Sequence, residues 1–174
     1  RRQRQMCIRD SYEDTVDEFQ LEVLSGSLES KLPITTPDIH RPAFALTGFM
    51  ENYLHERIIL IGETEILYMR CLTKGQRGES VERLFSKPLT CIIITKGLEA
   101  GECLLKFAGE NQVPILRTPM STTPFIHKLT SHLEYVFAPR TSLHGSLVDV
   151  YGVGLLFIGR SGIGKSEIAL DLVE

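Results

Sequence analysis

The sequence has no apolar run long enough to cross a membrane as a helix. Its longest such runs, 58–62 and 152–159, fall well short of the ~20 residues a spanning helix needs. No apolar stretch follows the N-terminal arginines, so a signal peptide is not expected. Charge of one sign is not in excess: 19 Lys+Arg stand against 22 Asp+Glu, for a net charge of −3. That balance excludes a nucleic-acid binder working by bulk charge. Cysteine is sparse. Cys7, Cys71, Cys91 and Cys103 are widely spaced and form no C-x-x-C pair, which excludes a disulfide scaffold and predicts free thiols in a reducing cytoplasm. There is no internal repeat and no low-complexity tract.

What is present is the composition of an ordinary folded protein. Of 174 residues, 43% are hydrophobic and 24% charged. A chain of this length buries about 70% of its unfolded surface, enough for one domain or two small ones.

Residues 1–11 contain four arginines, Arg1, Arg2, Arg4 and Arg9, and an acidic stretch follows. This leader is expected to be non-native or disordered and to pack on nothing. Residues 19–24 alternate apolar and polar side chains and predict a short strand. Pro33, Pro37 and Pro42 mark a loop-rich segment. A short helix is expected over 48–55. The β-branched run 58–61 predicts a buried strand, and 63–71 a helix. Gly75 and Gly78 are expected to interrupt before a second short helix over 79–85. Then come a strand at 91–95, a helix at 101–111, a strand at 114–117 and a longer helix at 121–137, stopped by Pro139. Strands alternating with helices predict an α/β fold with a mostly parallel sheet. The boundaries drawn are 12–138 for this α/β domain and 139–174 for the start of a second unit, with strands over 141–150 and 153–158.

In that second unit Gly159-Arg160-Ser161-Gly162-Ile163-Gly164-Lys165-Ser166 satisfies G-x-x-x-x-G-K-[ST] at every fixed position. The apolar run Leu155-Leu156-Phe157-Ile158 predicts a buried strand leading in, and a helical pattern from Glu167 leads out, as the motif requires. The glycines let successive backbone N–H groups face one anion. Lys165 is placed to reach the β- and γ-phosphates, and the Ser166 hydroxyl to ligate Mg²⁺. Glu167 and Asp171, four apart, read as a solvated helix face.

Tyr151-Gly152 reads as a two-residue hairpin turn. Pairing then runs 150 with 153, 148 with 155, 146 with 157 and 144 with 159. That register sets His144 opposite Gly159 at the mouth of the loop, on one strand face with Ser142, Ser146, Val148 and Val150. An imidazole there can bind a phosphate oxygen or tune a proton transfer. His40, His55, His127 and His132 have no such placement and read as structural or surface residues.

Thr141-Ser142-Leu143-His144-Gly145, Val148-Asp149-Val150-Tyr151-Gly152-Val153-Gly154 and the loop through Glu167 together closely resemble bacterial HPr kinase/phosphorylase. Arg41-Pro42, Leu46-Thr47-Gly48-Phe49, Arg57-Ile58 and Leu60-Ile61-Gly62 resemble that family's N-terminal domain. Arg160 and Ala43 depart from the usual pattern. The resemblance implies an α/β N-terminal domain joined to a phosphate-loop kinase domain, assembled as hexamers in the cytoplasm. It implies phosphorylation of a serine on HPr, the phosphocarrier of the sugar phosphotransferase system, with ATP or else pyrophosphate as the donor beside Mg²⁺, and the reverse reaction, in which phosphate releases pyrophosphate. It carries over catalytic roles to His144 and Lys165, nucleotide binding to Gly159, Arg160, Ser161, Gly162, Ile163, Gly164, Lys165 and Ser166, and a Mg²⁺ ligand to Ser166. The family's catalytic aspartate and second metal carboxylate fall beyond Glu174, so this chain alone is expected to be inactive. Two other readings stand beside it: another phosphate-loop kinase with a small-molecule substrate, and a nucleotide-sensing regulator without phosphotransfer.

Overall fold

Two consecutive β-branched runs, Ile58–Ile61 and Ile92–Ile94, sit at the centre of a five-stranded sheet and are buried on both faces. The computed structural model describes residues 6–29, 32–51 and 53–173, which divide into two units, 1–137 and 138–174.

In the first unit the elements run α1 (Ile8–Phe19), β1 (Glu22–Ser25), β2 (Ile39–His40), α2 (Ala43–Thr47), β3 (Ile58–Ile61), α3 (Glu63–Cys71), α4 (Lys74–Leu84), β4 (Ile92–Ile94), α5 (Glu102–Glu110), β5 (Ile115–Arg117) and α6 (Thr122–Phe137). The sheet order is β1-β5-β4-β3-β2. Strands β2 to β5 are mutually parallel, and β1 pairs antiparallel with β5 at the edge. The fold is therefore α/β with a mixed, mostly parallel sheet.

Successive strand residues point to opposite faces, and each face has its own core. Ile59, Ile61, Ile92, Ile94 and Ile115 pack with Leu46 of α2, Ile66 and Met69 of α3, Val81 and Leu84 of α4 and Leu104 of α5. Ile58, Leu60, Ile93 and Leu116 pack on the other face with Ile8 and Phe19 of α1 and Phe125, Leu129 and Leu133 of α6. The Phe19 and Phe125 rings meet edge to face, with centroids 5.6 Å apart, a favoured aromatic geometry.

Several expectations are corrected. Residues 6–11 do not stand apart from the fold. Met6 and Ile34 exchange backbone hydrogen bonds of 3.1 and 2.8 Å, and Ile8 is 2% exposed in the core. Residues 1–5 lie outside the described residues. Phe19 closes α1 rather than opening a strand, and Gln20 turns the chain with φ +50° before β1. The helix expected over 48–55 lies earlier, at α2, because Gly48 with φ +108° ends it; Asn52 in that span is outside the described residues.

Gly75 and Gly78 do not interrupt α4. Thr73 and Gln76 form a capping box at its start, with Gln76 N–H donating to Thr73 Oγ1 at 3.4 Å and Thr73 N–H to Gln76 Oε1 at 3.1 Å. That cap, with the burial of Ser80, Val81 and Leu84, offsets the ~1 kcal/mol each helical glycine costs. The two-residue strand β2 carries no local signal inside the proline-rich segment; its pairing with β3 creates it.

The second unit is β6 (Gly145–Val150), β7 (Val153–Ile158) and α7 (Lys165–Asp171). The hairpin pairs 150 with 153, 148 with 155 and 146 with 157, as the spacing predicts. Its turn has positive φ at Tyr151 and Gly152, and Gly152 N–H donates to Asp149 Oδ1 at 2.9 Å. Pairing ends at Gly145 with Ile158. Residues 141–144 are not strand, so His144 makes no ladder pair with Gly159 and Ser142 does not share a strand face with it.

Candidate functional site

The strand β7 delivers the chain into the loop 159–164, and α7 begins at Lys165. Gly162 and Gly164 hold φ of +81° and +89°, a region that L side chains enter only with strain. Gly164, fixed by the motif, and Gly162, at one of its variable positions, thus supply the backbone curl. Helix α7 is anchored by Ala169, 6% exposed, and by Ile168 N–H donating to Gly164 O at 3.0 Å.

Lys165 is half-buried and folds back over the loop. Its Nζ donates to Gly159 O at 3.0 Å and to Arg160 O at 2.7 Å. The ammonium is therefore held over the loop by two carbonyl dipoles.

An open depression of about 570 Å³ lies beside the loop, walled by residues 144–146 on one side and 161–167 on the other. It brings His144 together with Ser161, Gly162, Ile163, Gly164, Lys165 and Ser166. Gly159 and Arg160 do not line it; they meet Lys165 through their carbonyls instead. His144 and Ser166 are exposed. Three further residues border the depression: Gly145, Ser146 and Glu167. The alternation along β6 placed Ser146 on the covered strand face, which is the signal that could have found it. Glu167 was hidden by its resemblance to any solvated residue of a first helical turn.

Among the described residues no group of three or more His, Cys, Asp and Glu is arranged to hold a metal ion by itself. The side-chain oxygens at the depression are the Ser146, Ser161 and Ser166 hydroxyls and the Glu167 carboxylate. Such a hard-oxygen set fits Mg²⁺, which takes one or two protein ligands and completes its shell with water and phosphate oxygens.

The other histidines sit in unit 1. His55 Nδ1 lies 3.0 Å from Pro88 O. The His40 ring is 5.7 Å from that of Tyr53, and the His132 ring stands edge-on to Phe19 at 6.4 Å. Burial, and then the nearby Arg57 charge, hold the His40 imidazole below its ordinary pKa. Burial pushes the Cys91 thiol up to about 12, as for an inert core cysteine. No helix among the described residues is long and apolar enough to cross a membrane.

Fold and loop together define an α/β domain followed by a hairpin that carries a phosphate-loop sequence. Residues 11–133 match the family model for the HPr serine kinase N terminus, and residues 135–174 that for the HPr serine kinase C-terminal domain. The chain belongs to the HPr serine kinase family. It is 43% identical over 161 residues to an HPr kinase/phosphorylase of Bacillus cytotoxicus, covering 92% of this chain and 52% of that protein. It is 44% identical over 162 residues to HPr kinase/phosphorylase 1 of Oceanobacillus iheyensis, covering 93% and 52%. The chain thus spans about half the length of the curated relatives it matches. Among solved structures, it resembles the CBS and DRTGG domains of the regulatory region of a Clostridium perfringens pyrophosphatase, complexed with its activator diadenosine tetraphosphate. The TM-score is 0.50 at 15% identity, over 83% of this chain and 56% of that one. That likeness concerns the fold alone.

Proposed function

We propose that this chain supplies the N-terminal domain and the phosphate loop of an ATP-dependent protein serine kinase and phosphorylase that acts on HPr. The observation that carries it is the depression shared by His144 and residues 161–166, beside a loop with positive φ at Gly162 and Gly164. Family membership supplies the substrate class.

In this reading the backbone N–H groups of Gly162, Ile163, Gly164 and Lys165 hold a phosphate oxygen cluster. Lys165 exchanges its contacts with Gly159 O and Arg160 O for the transferring phosphoryl group and offsets its charge. Ser166 holds Mg²⁺, which when bound neutralises charge on the phosphates. His144, across the depression, moves a proton to or from a phosphate oxygen. The same residues serve phosphate and pyrophosphate in the reverse direction. The base that deprotonates the HPr serine is an aspartate of the relatives' second half, by the resemblance. Phosphotransfer is thus assigned to a protein of the relatives' length, assembled as a hexamer in the cytoplasm. The exposed Leu147, Ile158 and Leu170 support further protein surface covering this unit there.

The test is in two parts. Magnesium pyrophosphate titrated into residues 1–174 is expected to bind at the loop, with Lys165→Ala weakening binding about 10–100-fold, as loss of a charge-assisted contact does. A protein of the relatives' length is expected to phosphorylate HPr on serine, and residues 1–174 are not. Phosphate binding indifferent to Lys165→Ala would overturn the site. Absence of HPr phosphorylation by the longer protein would overturn the substrate.

A further inference from the structure

Strand β6 begins at Gly145, and the position of that residue is unusual. A Cβ built there would lie 2.5 Å from the backbone carbonyl oxygen of Phe157 and 3.1 Å from Leu156 Cδ1. The Leu156 methyl can move aside, but the Phe157 carbonyl belongs to the paired strand β7 and can move only if the strands part. Gly154, in the same hairpin, has nothing within 4 Å of such a Cβ. Among the glycines of the hairpin the close approach is therefore specific to Gly145. It falls where the ladder stops, one residue after His144 and opposite Ile158, the last residue before the loop. The chain before Gly145 leaves the strand, yet His144 still borders the depression with Lys165 and Ser166.

We infer that Gly145 is a positioning residue: the absence of its side chain lets β6 close onto β7 at the loop, and that approach sets where His144 stands over the phosphate-binding depression. The inference rests on the phosphate-loop reading above. A side chain at 145 must separate the strands locally or rotate residue 145. Either change moves the preceding residue, and a displacement of ~1 Å at a reacting group is enough to cost about 10²-fold in rate. The hairpin beyond it, from Val148 to Leu155, is held by its own pairs and by the Asp149–Gly152 turn bond, so its pairing survives the change.

Magnesium pyrophosphate is titrated into wild type, Gly145→Ala and Gly154→Ala, with the amides of 162–166 and the His144 ring followed by NMR, and with hydrogen exchange measured at Val148 and Leu155. In wild type and Gly154→Ala the loop amides and the His144 ring are expected to respond together. In Gly145→Ala the loop amides should respond with an affinity within about threefold of wild type, while the His144 response falls below about a third. Exchange at Val148 and Leu155 should stay within about threefold. A His144 response unchanged by Gly145→Ala overturns the inference. So does exchange protection lost along the whole hairpin, which would make Gly145 a residue of folding rather than of positioning. So too does a wild-type loop that responds while His144 does not. A wild-type loop indifferent to pyrophosphate overturns the phosphate-loop reading instead and takes this inference with it.

Discussion

The Glu65 carboxylate, its side chain wholly out of solvent, is held by Arg41. Arg41 Nη2 donates to Oε1 at 2.9 Å and to Oε2 at 3.1 Å, and Gly62 N–H donates to Oε2 at 2.9 Å. Glu65 thus caps α3 and ties the chain after β2 to the end of β3. Removing one partner of a buried pair costs about 3–5 kcal/mol, but Arg41 is 46% exposed, so water partly replaces it. Arg41→Met is expected to lower stability by about 1–3 kcal/mol. Glu65→Gln, which keeps an acceptor for Gly62 N–H, should cost less than Glu65→Ala. Urea midpoints for the three variants check the order; equal midpoints for Arg41→Met and wild type would refute it.

The packing of Met6 and Ile8 makes the N-terminal segment part of the fold. Burying each such side chain is worth about 1.5–3 kcal/mol, and the Met6–Ile34 backbone pair adds to it. Deleting residues 1–11 is expected to lower stability by at least about 3 kcal/mol. Deleting only residues 1–5 keeps both side chains and the pair, and serves as the comparison. Melting temperatures unchanged by the longer deletion would show that the segment contributes nothing.

The pH dependence of unit 1 should carry the mark of His40. Its folded pKa lies below the ordinary 6.5, chiefly from burial and then from Arg57. Above the unfolded value both states are neutral and the group has no effect. As pH falls below 6.5 the unfolded chain takes up the proton first, so folding loses stability until the folded state also protonates. Wild type should therefore weaken between pH 7 and 5 more steeply than His40→Gln. Parallel slopes in urea midpoints against pH would remove His40 from the account.

His144 separates chemistry from packing. It is exposed and outside the ladder, so His144→Ala should change stability by no more than roughly 0.5 kcal/mol. In a protein of the relatives' length the same substitution should cut turnover by about 10²–10⁴-fold in both directions. Forward and reverse rates are measured beside urea midpoints. Rates that stay within about threefold would leave the loop, Lys165 and Ser166 as the whole site.

Elements that depend on near neighbours in the chain were legible in the sequence. The strands at 58–61, 92–94 and 115–117 announce themselves as apolar runs between turn residues. The hairpin register followed from Tyr151-Gly152, and the phosphate loop from its glycines, because positive φ is a demand on single residues. Elements settled by distant partners were not legible. The buried positions of α1, at Ile8, Ser11, Thr15 and Phe19, hold a helical spacing, but two are polar and an arginine-rich start precedes them. Only the sheet face beneath explains their burial. Two residues become β2 because β3 lies alongside, and α4 crosses two glycines because its far half is buried. At Gly145, where the ladder ends, it is a carbonyl of the opposite strand that leaves no room for a Cβ. Local chemistry fixes which backbone angles and periodicities a segment can hold. Which backbones approach, and how closely, is decided only when their partners are folded against them.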